Sequence, residues 1–341
     1  MAISITVLAK RAIVNEWCAK YPDTPHQTLA RMVYAKHEHA FASVQALVKI
    51  IRRQRGILSP SDKTHCLPGP MQYTGEASRV APHWRIAKSM ADEHTDYVIH
   101  GAQRVLRLSD IHFPFHDERA LEAALNYGHQ HDPTIILLAG DILDLPNLST
   151  HPNLNPRDLL EQEFLMLAEF LEDLRTHFPK ARIVWMEGNH CVRVKHFLMR
   201  KAPELFSLPN MDVPGFLCSF AGPGAMMNVE WVDDMRVVRT GKLAHLHGHE
   251  FRGGGGVNPA RWLYLRAGEN AICGHFHRTS EHSEPGLNRQ ARGAWTTGCL
   301  CTTTPDWMRH TKWNHGFAWI EIDQSGDFRV KNIRIIDGKI H

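Results

Sequence analysis

The feature that most constrains this chain is a series of five polar clusters, each placed directly after an apolar segment. They are Ser109-Asp110-Ile111-His112, Gly140-Asp141-Ile142-Leu143-Asp144, Gly188-Asn189-His190, His245-Leu246-His247-Gly248-His249 and Gly274-His275-Phe276-His277. Residues 105–108, 134–139 and 182–186, which precede the first three, read as strands, and 134–139 is continuously apolar as in a strand buried on both faces. Between them, 117–131 is helix-like and 157–177 is a long amphipathic helix with Leu159, Leu160, Phe164, Leu167, Phe170, Leu171 and Leu174 on its apolar side. Strand, helix, strand, helix, strand implies βαβ units and a parallel sheet. In such sheets ligands bind beyond the carboxyl ends of the strands, so clusters distant in sequence would converge. The flanking glycines suit the tight turns this requires.

The residue types restrict the chemistry. Carboxylate, imidazole and amide oxygen together suit a borderline divalent metal, manganese first, with iron, zinc or nickel as alternatives, and need no thiolate. Asp110, His112, Asp141, Asn189, His247, His275 and His277 are too many ligands for one tetrahedral zinc. They suit two metals about 3.5–4 Å apart that share a carboxylate and a hydroxide. Such a pair can clamp a phosphoryl oxygen and stabilise an in-line displacement. His245 and His249 flank His247 and are alternative ligands; His247 is preferred because it precedes the glycine.

Taken together, D-x-H, G-D, G-N-H, H-G and G-H-x-H in this order resemble the calcineurin-like metallophosphoesterase superfamily, over about residues 104–335. The resemblance implies an α/β fold, a two-sheet β sandwich flanked by helices. It implies that Asp110, His112 and His277 hold one metal, that Asn189, His247 and His275 hold the other, and that Asp141 bridges them. His190 would protonate the leaving group or stabilise the phosphoryl oxygens, with Asp144 orienting it. Two departures are informative. Cys191 follows G-N-H, where the family often has an acid, and reads as a packing residue. Leu145-Pro146 stands where protein Ser/Thr phosphatases have Arg-Gly, which turns the reading away from that branch. Arg193, just past the G-N-H turn, is a candidate contact to substrate phosphate, with a surface salt bridge as the alternative.

The rest of the chain divides into 1–56, a small all-α module; 57–100, a linker or wrapping arm with Pro60, Pro68, Pro70 and Pro82; and 101–341, the catalytic domain. The first 56 residues carry nine Lys/Arg against three Asp/Glu, while the remainder is slightly acidic. Three short helices are expected there. Thr24 or Asp23 would cap the second, Ser43 would cap the third, and Gly56 would end it. The third places Val44, Leu47, Ile50 and Ile51 on one side and Lys49, Arg52 and Arg53 on the other, which resembles a helix-turn-helix module contacting nucleic acid. A helical cap with a solvated charged face is the competing reading.

Towards the C-terminus, strands are expected at 236–246, 270–273, 293–299, 316–322 and 328–336, with a helix at 258–267. The glycine run at 253–256 is either a phosphate-cradling loop or a plain connection. Trp295, Trp307, Trp313 and Trp319 are either core residues or stacking surfaces. Seven cysteines without a CxxC pair point to a reducing cytoplasm, and neither a signal peptide nor a membrane span is expected. The functional expectation is a metal-dependent phosphoester hydrolase, by preference a phosphodiesterase or nuclease acting on DNA or RNA. The alternatives are a phosphomonoesterase acting on nucleotides or phosphoproteins, and a non-catalytic DNA-binding or scaffold protein that retains the fold. No oligomeric state is specified.

Overall fold

The computed structural model describes residues 7–55, 86–91, 93–150, 159–287 and 289–341. The chain divides into two units, residues 1–90 and 91–341. In the first, α1 (Val7–Lys20), α2 (His26–His37) and α3 (Val44–Gln54) enclose Val14, Cys18, Leu29, Val33, Leu47 and Ile51, all buried. Ser43 caps α3, its hydroxyl accepting from the Ala46 amide at 3.1 Å. The second helix starts otherwise than expected. Neither Asp23 nor Thr24 caps it; α2 begins after Pro25, which makes no side-chain cap. Proline, lacking an N–H and fixed in φ, marks the boundary by itself. The Thr24 carbonyl instead accepts from Arg55 at 2.8 Å, and the same guanidinium reaches the Tyr21 carbonyl at 2.9 Å, fastening the end of α3 to the α1–α2 turn. Gly56 and residues 57–85 lie outside the described residues.

The last part of the expected arm belongs to the second unit. There β1 (Tyr97–Ile99) is a strand of a sheet, so the sheet structure starts before residue 101. It is followed by β2 (Gln103–Leu108), α4 (Glu118–His131), β3 (Ile135–Ala139), α5 (Leu160–His177), β4 (Arg182–Met186), α6 (Val192–Lys201), α7 (Val213–Ala221) and β5 (Val229–Val232). Then come β6 (Val238–Thr240), β7 (Leu243–His245), α8 (Pro259–Ala267), β8 (Ala271–Cys273), β9 (Ser280–Pro285), β10 (Ala291–Thr296), β11 (His315–Ile322), β12 (Phe328–Ile336) and β13 (Lys339–Ile340). The stretch 236–246, expected as one strand, is an antiparallel β6–β7 pair in which Val238 faces His245. Helices α6 and α7 and strands β5 and β9 are short additions that the periodicity did not announce.

Two sheets form. One runs β13-β12-β11-β2-β3-β4-β5, with β2, β3, β4 and β5 parallel; the other runs β1-β6-β7-β8-β10-β9. The two-residue period of each strand sorts its side chains between two cores. Ile135, Leu137 and Ala139 point into the space between the sheets with Val105, Val184, Ile272 and Ile320. Ile136 and Leu138 point the other way, with Leu106, Trp185 and Trp319, onto Leu121 of α4 and Phe164, Leu167 and Leu171 of α5. A smaller cluster joins Ala244, Ala271 and Ala294 to Leu263 of α8. The unit is therefore a β sandwich with helices on its outer faces, which accounts for the fully apolar β3. All six described cysteines are free thiols. No helix among the described residues is long and apolar enough to cross a membrane.

Candidate metal centre

The five clusters occupy the turns after β2, β3, β4, β7 and β8, and backbone hydrogen bonds knit these turns together. The Asp110 amide donates to the Gly140 carbonyl at 3.1 Å, the His112 amide to Asp141 at 3.0 Å, and the Gly274 amide to His247 at 2.8 Å. Among the described residues four groups of side chains are close enough to share a cation; one is His112, Asp144 and His190, one is His112, His277 and Cys301, and two contain Asp141. Asp110, His112 and Asp141 present ligand atoms within 4.8 Å of one another, and so do Asp141, His247 and His275. His277 joins the first through Nε2, 3.1 Å from Asp110 Oδ1, and Asn189 Oδ1 lies 3.0 Å from His247 Nε2 in the second. Asp141 is the member common to both sets, its Oδ2 3.9 Å from His112 Nε2 and 3.1 Å from His247 Nε2.

The backbone is bent to make this possible. Asp110, His112, Asp141, His275 and His277 all have φ between 50° and 65°, the left-handed region that L-residues seldom enter. Conformations of this kind persist only where the surroundings over-determine them. Part of that surrounding is glycine. A Cβ on Gly188 would lie 2.3 Å from the Asp141 carboxylate, and one on Gly274 would lie 2.3 Å from Asp110 Oδ2. Backbone without a side chain is the only wall that lets these carboxylates sit where they do.

The histidines are held from behind, as metal ligands are. His112 Nδ1 is 2.9 Å from Asp144 Oδ1, and His247 Nδ1 is 3.0 Å from the Ala139 carbonyl, which leaves each Nε2 aimed at the carboxylates. His112 Nε2 is buried and has no hydrogen-bond partner. A buried, unpartnered imidazole nitrogen facing two carboxylates fits a cation, and the donor set of Asp, Asn and His fits a borderline divalent metal. The electrostatics agree. Burial opposes charge on Asp110, yet His277 and His247 hold its carboxyl well below the usual range, and Asp141 is likewise held low by His247, His190 and His112. Burial also opposes charge on His247, but Asp141 and Asp110 lift it to about 9; His277, facing Asp110, is lifted to about 10. His275, buried beside His247, is pushed down to about 4. The two carboxylates thus hold positive charge on the facing imidazoles, a role that a bound cation would take over.

The flanking histidines now separate. His245 is fully buried, its Nε2 2.7 Å from Thr240 Oγ1, and burial pushes it down to about 3; it is a neutral structural side chain on β7. His249 lies beside His247, ring centroids 5.3 Å apart, outside both donor sets. His190 stands at the edge of the cluster. Its amide donates to Asp141 Oδ1 at 2.9 Å, and its Nδ1 is 2.7 Å from the Asp144 carbonyl and 3.2 Å from Asp144 Oδ1. The Asp144 carboxylate therefore touches both His190 and His112, the latter more closely, while its carbonyl is closer still to His190. Burial lowers the His190 pKa, partly offset by Asp141. Arg193 is turned away from a surface salt bridge: its guanidinium donates to the Asp144 carbonyl at 2.6 Å and lies 3.0 Å from His190 Nε2. Cys191 is buried in the helical core, its thiol pushed up by burial. Lys49, Arg52 and Arg53 lie on the exposed side of α3 in the first unit. Phe251 packs on Trp262 of α8, which in turn packs on Phe276, and no residue of 251–262 lines the groove in front of the candidate ligands.

Three contributors escaped the motif reading. Glu250 accepts from the His247 amide at 2.8 Å and from the Gly248 amide at 2.6 Å, fixing that turn. Cys301 brings its sulfur within 4.8 Å of ligand atoms of His112 and His277. Glu163 of α5 accepts from the Leu145 amide at 2.6 Å, beneath Asp144. Its sequence signal was a carboxylate on the apolar face of an amphipathic helix.

Burial lifts Glu163 from its ordinary 4.5 to about 8. The protonated form is therefore favoured in the fold. The stability this confers is complete below pH 4.5 and is lost as pH rises through 8, at most about 1.4 kcal/mol per unit. Glu163→Gln keeps the acceptor and removes the titration. Urea unfolding at pH 5, 6.5 and 8 should show wild type losing stability relative to the variant by a few kcal/mol across that window. Curves that move in parallel would contradict a protonated Glu163.

The family model for the calcineurin-like phosphoesterases matches residues 103–279. The gene 54 protein of Mycobacterium phage L5 is 27% identical over 238 residues, covering 65% of this chain and 90% of its own length. Among solved structures, vacuolar protein sorting 29 from Cryptosporidium parvum is 13% identical with a TM-score of 0.40, covering 71% of this chain and 95% of its own. YfcE, a phosphoesterase from E. coli, is 14% identical with a TM-score of 0.32, covering 67% and 98%.

Proposed function

The chain belongs to the calcineurin-like phosphoesterase family, and on that footing we propose that residues 91–341 hydrolyse a phosphodiester of nucleic acid with two divalent metal ions. The observation that carries the two-metal reading is the position of Asp141, whose Oδ2 faces His112 on one side and His247 on the other. Asp110, His112 and His277 would hold one ion and Asn189, His247 and His275 the other, manganese being the preferred metal. When bound, such a pair lowers the pKa of a shared water and neutralises phosphoryl charge.

The chain's own groups supply the rest. Asp144 and the carbonyl behind it keep the His190 ring in one orientation, with Nε2 towards the groove. Nδ1 donates to that carbonyl, so Nε2 accepts from Arg193 here; His190 would pass a proton to the departing alkoxide only once Nε2 is itself protonated and Arg193 has turned to the phosphate. Arg193, next to Nε2, fixes the ring and offers positive charge to a phosphoryl oxygen.

Support for a nucleic-acid substrate comes from the first unit. Helix α3 exposes Gln45, Lys49, Arg52 and Arg53 and contains no acidic residue. With α2 it has the make-up of a helix-turn-helix, α3 entering a major groove, although the connection is longer than the usual three or four residues. The free thiols accord with a cytoplasmic protein.

With Mn²⁺, bis-p-nitrophenyl phosphate should be turned over in preference to p-nitrophenyl phosphate, and single- or double-stranded DNA should be cut. The reverse preference would replace the diester reading with a monoester one. Charge reversal at Lys49, Arg52 and Arg53 should weaken a DNA mobility shift by at least tenfold at low salt. No turnover with Mn²⁺, Ni²⁺, Zn²⁺ or Mg²⁺ would remove the catalytic reading and leave a binding protein.

A further inference from the structure

Residues 302–314 lead from the β10 side of the sandwich to β11 and wall one side of the groove in front of the metal ligands. Trp313 packs edge-on against His277, ring centroids 4.1 Å apart, and Trp307 stands next to Trp313 at 5.7 Å. Both line the same groove of about 840 Å³ as Asp141, His190, His275 and His277. Trp307 is nevertheless 65% exposed, whereas Trp319 of β11 is 1% exposed and Trp295 packs against Phe328. Core packing thus accounts for two of the C-terminal tryptophans and fails for Trp307.

The loop that carries it is anchored. The Thr311 hydroxyl donates to the Thr303 carbonyl at 2.6 Å, Arg309 to the Thr304 carbonyl at 3.1 Å, and the Met308 amide to Pro305 at 3.0 Å. An indole held open to water, beside a second indole that touches a metal ligand, is a prepared aromatic surface.

We propose that Trp307 and Trp313 form a stacking subsite for the nucleobase of a phosphoester whose phosphate lies among the metal-ligating side chains. The proposal rests on the hydrolase reading above for the placement of that phosphate. Indole faces receive any base through its π-face and so do not require a particular sequence. The groove is within the roughly 300–1,000 Å³ range of small-molecule sites and has room for a nucleoside. A sugar phosphate or a phosphorylated serine has no flat apolar face to cover Trp307. The substrate class narrows accordingly to nucleotides or nucleic-acid ends.

Isothermal titration with adenosine 5′-monophosphate and ribose 5-phosphate, which differ by the base alone, tests this on the full chain with and without Mn²⁺. Wild type should bind the nucleotide at least about tenfold more tightly, the scale of one stacked base. Trp307→Ala should erase that preference, and Trp307→Phe should keep most of it. A second pair, hexadeoxyadenylate with and without one abasic position, separates the sources. A base preference in the strand alone assigns the subsite to nucleic acid, and a preference in the mononucleotide alone assigns it to free nucleotides. Equal affinities in both pairs, or Trp307→Ala weakening both members of a pair equally, would overturn the proposal. Turnover does not enter the readout. A chain that hydrolyses nothing yet keeps the base preference would therefore remove the hydrolase reading and leave the subsite standing.

Discussion

Asp141→Asn should abolish phosphoester hydrolysis and lower metal occupancy while leaving the fold intact. The asparagine oxygen can take the place of Oδ1 and still accept the His190 amide, now at 2.9 Å. Its amide nitrogen then takes the place of Oδ2, which lies 3.1 Å from His247 Nε2 and 3.9 Å from His112 Nε2. A donor would stand where lone pairs face both ligand sets, and one negative charge would be gone from between them. Loss of a shared anionic ligand forfeits several kcal/mol of transition-state stabilisation, on the order of a thousandfold or more in kcat/KM. Elemental analysis should find fewer than two ions per chain in the variant and two in wild type; a single ion in wild type would contradict the assignment. His190→Ala is the control. It should slow turnover by about 10²–10⁴-fold with both ions retained if, as proposed, His190 handles a proton and is not a ligand.

The second large effect is on stability and lies at Arg107. This side chain is fully buried between the sheets, with no ion-pair partner among the described residues. Its guanidinium donates to the Leu246 carbonyl at 2.8 Å and to the Thr297 hydroxyl at 3.1 Å. Burial brings its pKa down to about 10, so it remains charged at neutral pH. Arg107→Ala would leave a cavity and an unpaired carbonyl, at a cost of about 3 kcal/mol. For a unit of this size the thermal midpoint should fall by roughly 10 °C. Arg107→Met refills the volume and should recover most of that loss. It leaves Leu246, the residue before His247, without its support, so metal affinity should still drop by about 10–100-fold. Unchanged melting in Arg107→Ala would show that the inter-sheet bonds contribute nothing.

How much of this was legible beforehand depends on the range of the interactions involved. Strands β2, β3 and β4 and helices α4 and α5 were readable because each buries a face large enough to impose its period on the sequence. The convergence of Asp110, His112, Asp141, Asn189, His247, His275 and His277 was readable because each is an Asp, Asn or His placed after a strand. What stayed hidden was set by contacts across the fold. Locally only the glycine that follows His247 set it apart from His245; Thr240, on the neighbouring strand, adds the reason by occupying His245. Four tryptophans looked alike until burial separated Trp319 from Trp307. Short elements such as α7 and β9 have too few residues for a period to stand out, and the start of α2 was governed by a proline where a polar cap was expected.

The two glycines that press on the carboxylates have a consequence for how this protein can vary. Gly188 and Gly274 carry no functional group, yet an added methyl at either would displace Asp141 or Asp110. Random substitution should therefore be as damaging there as at the ligands, while Cys191, next to a ligand turn but packed in the core, could be exchanged for another small apolar residue at modest cost. Tolerance to change in this chain follows free space around the carboxylates more closely than it follows reactivity. A lineage altering its substrate would have to do so through the groove walls, since the floor leaves no room for revision.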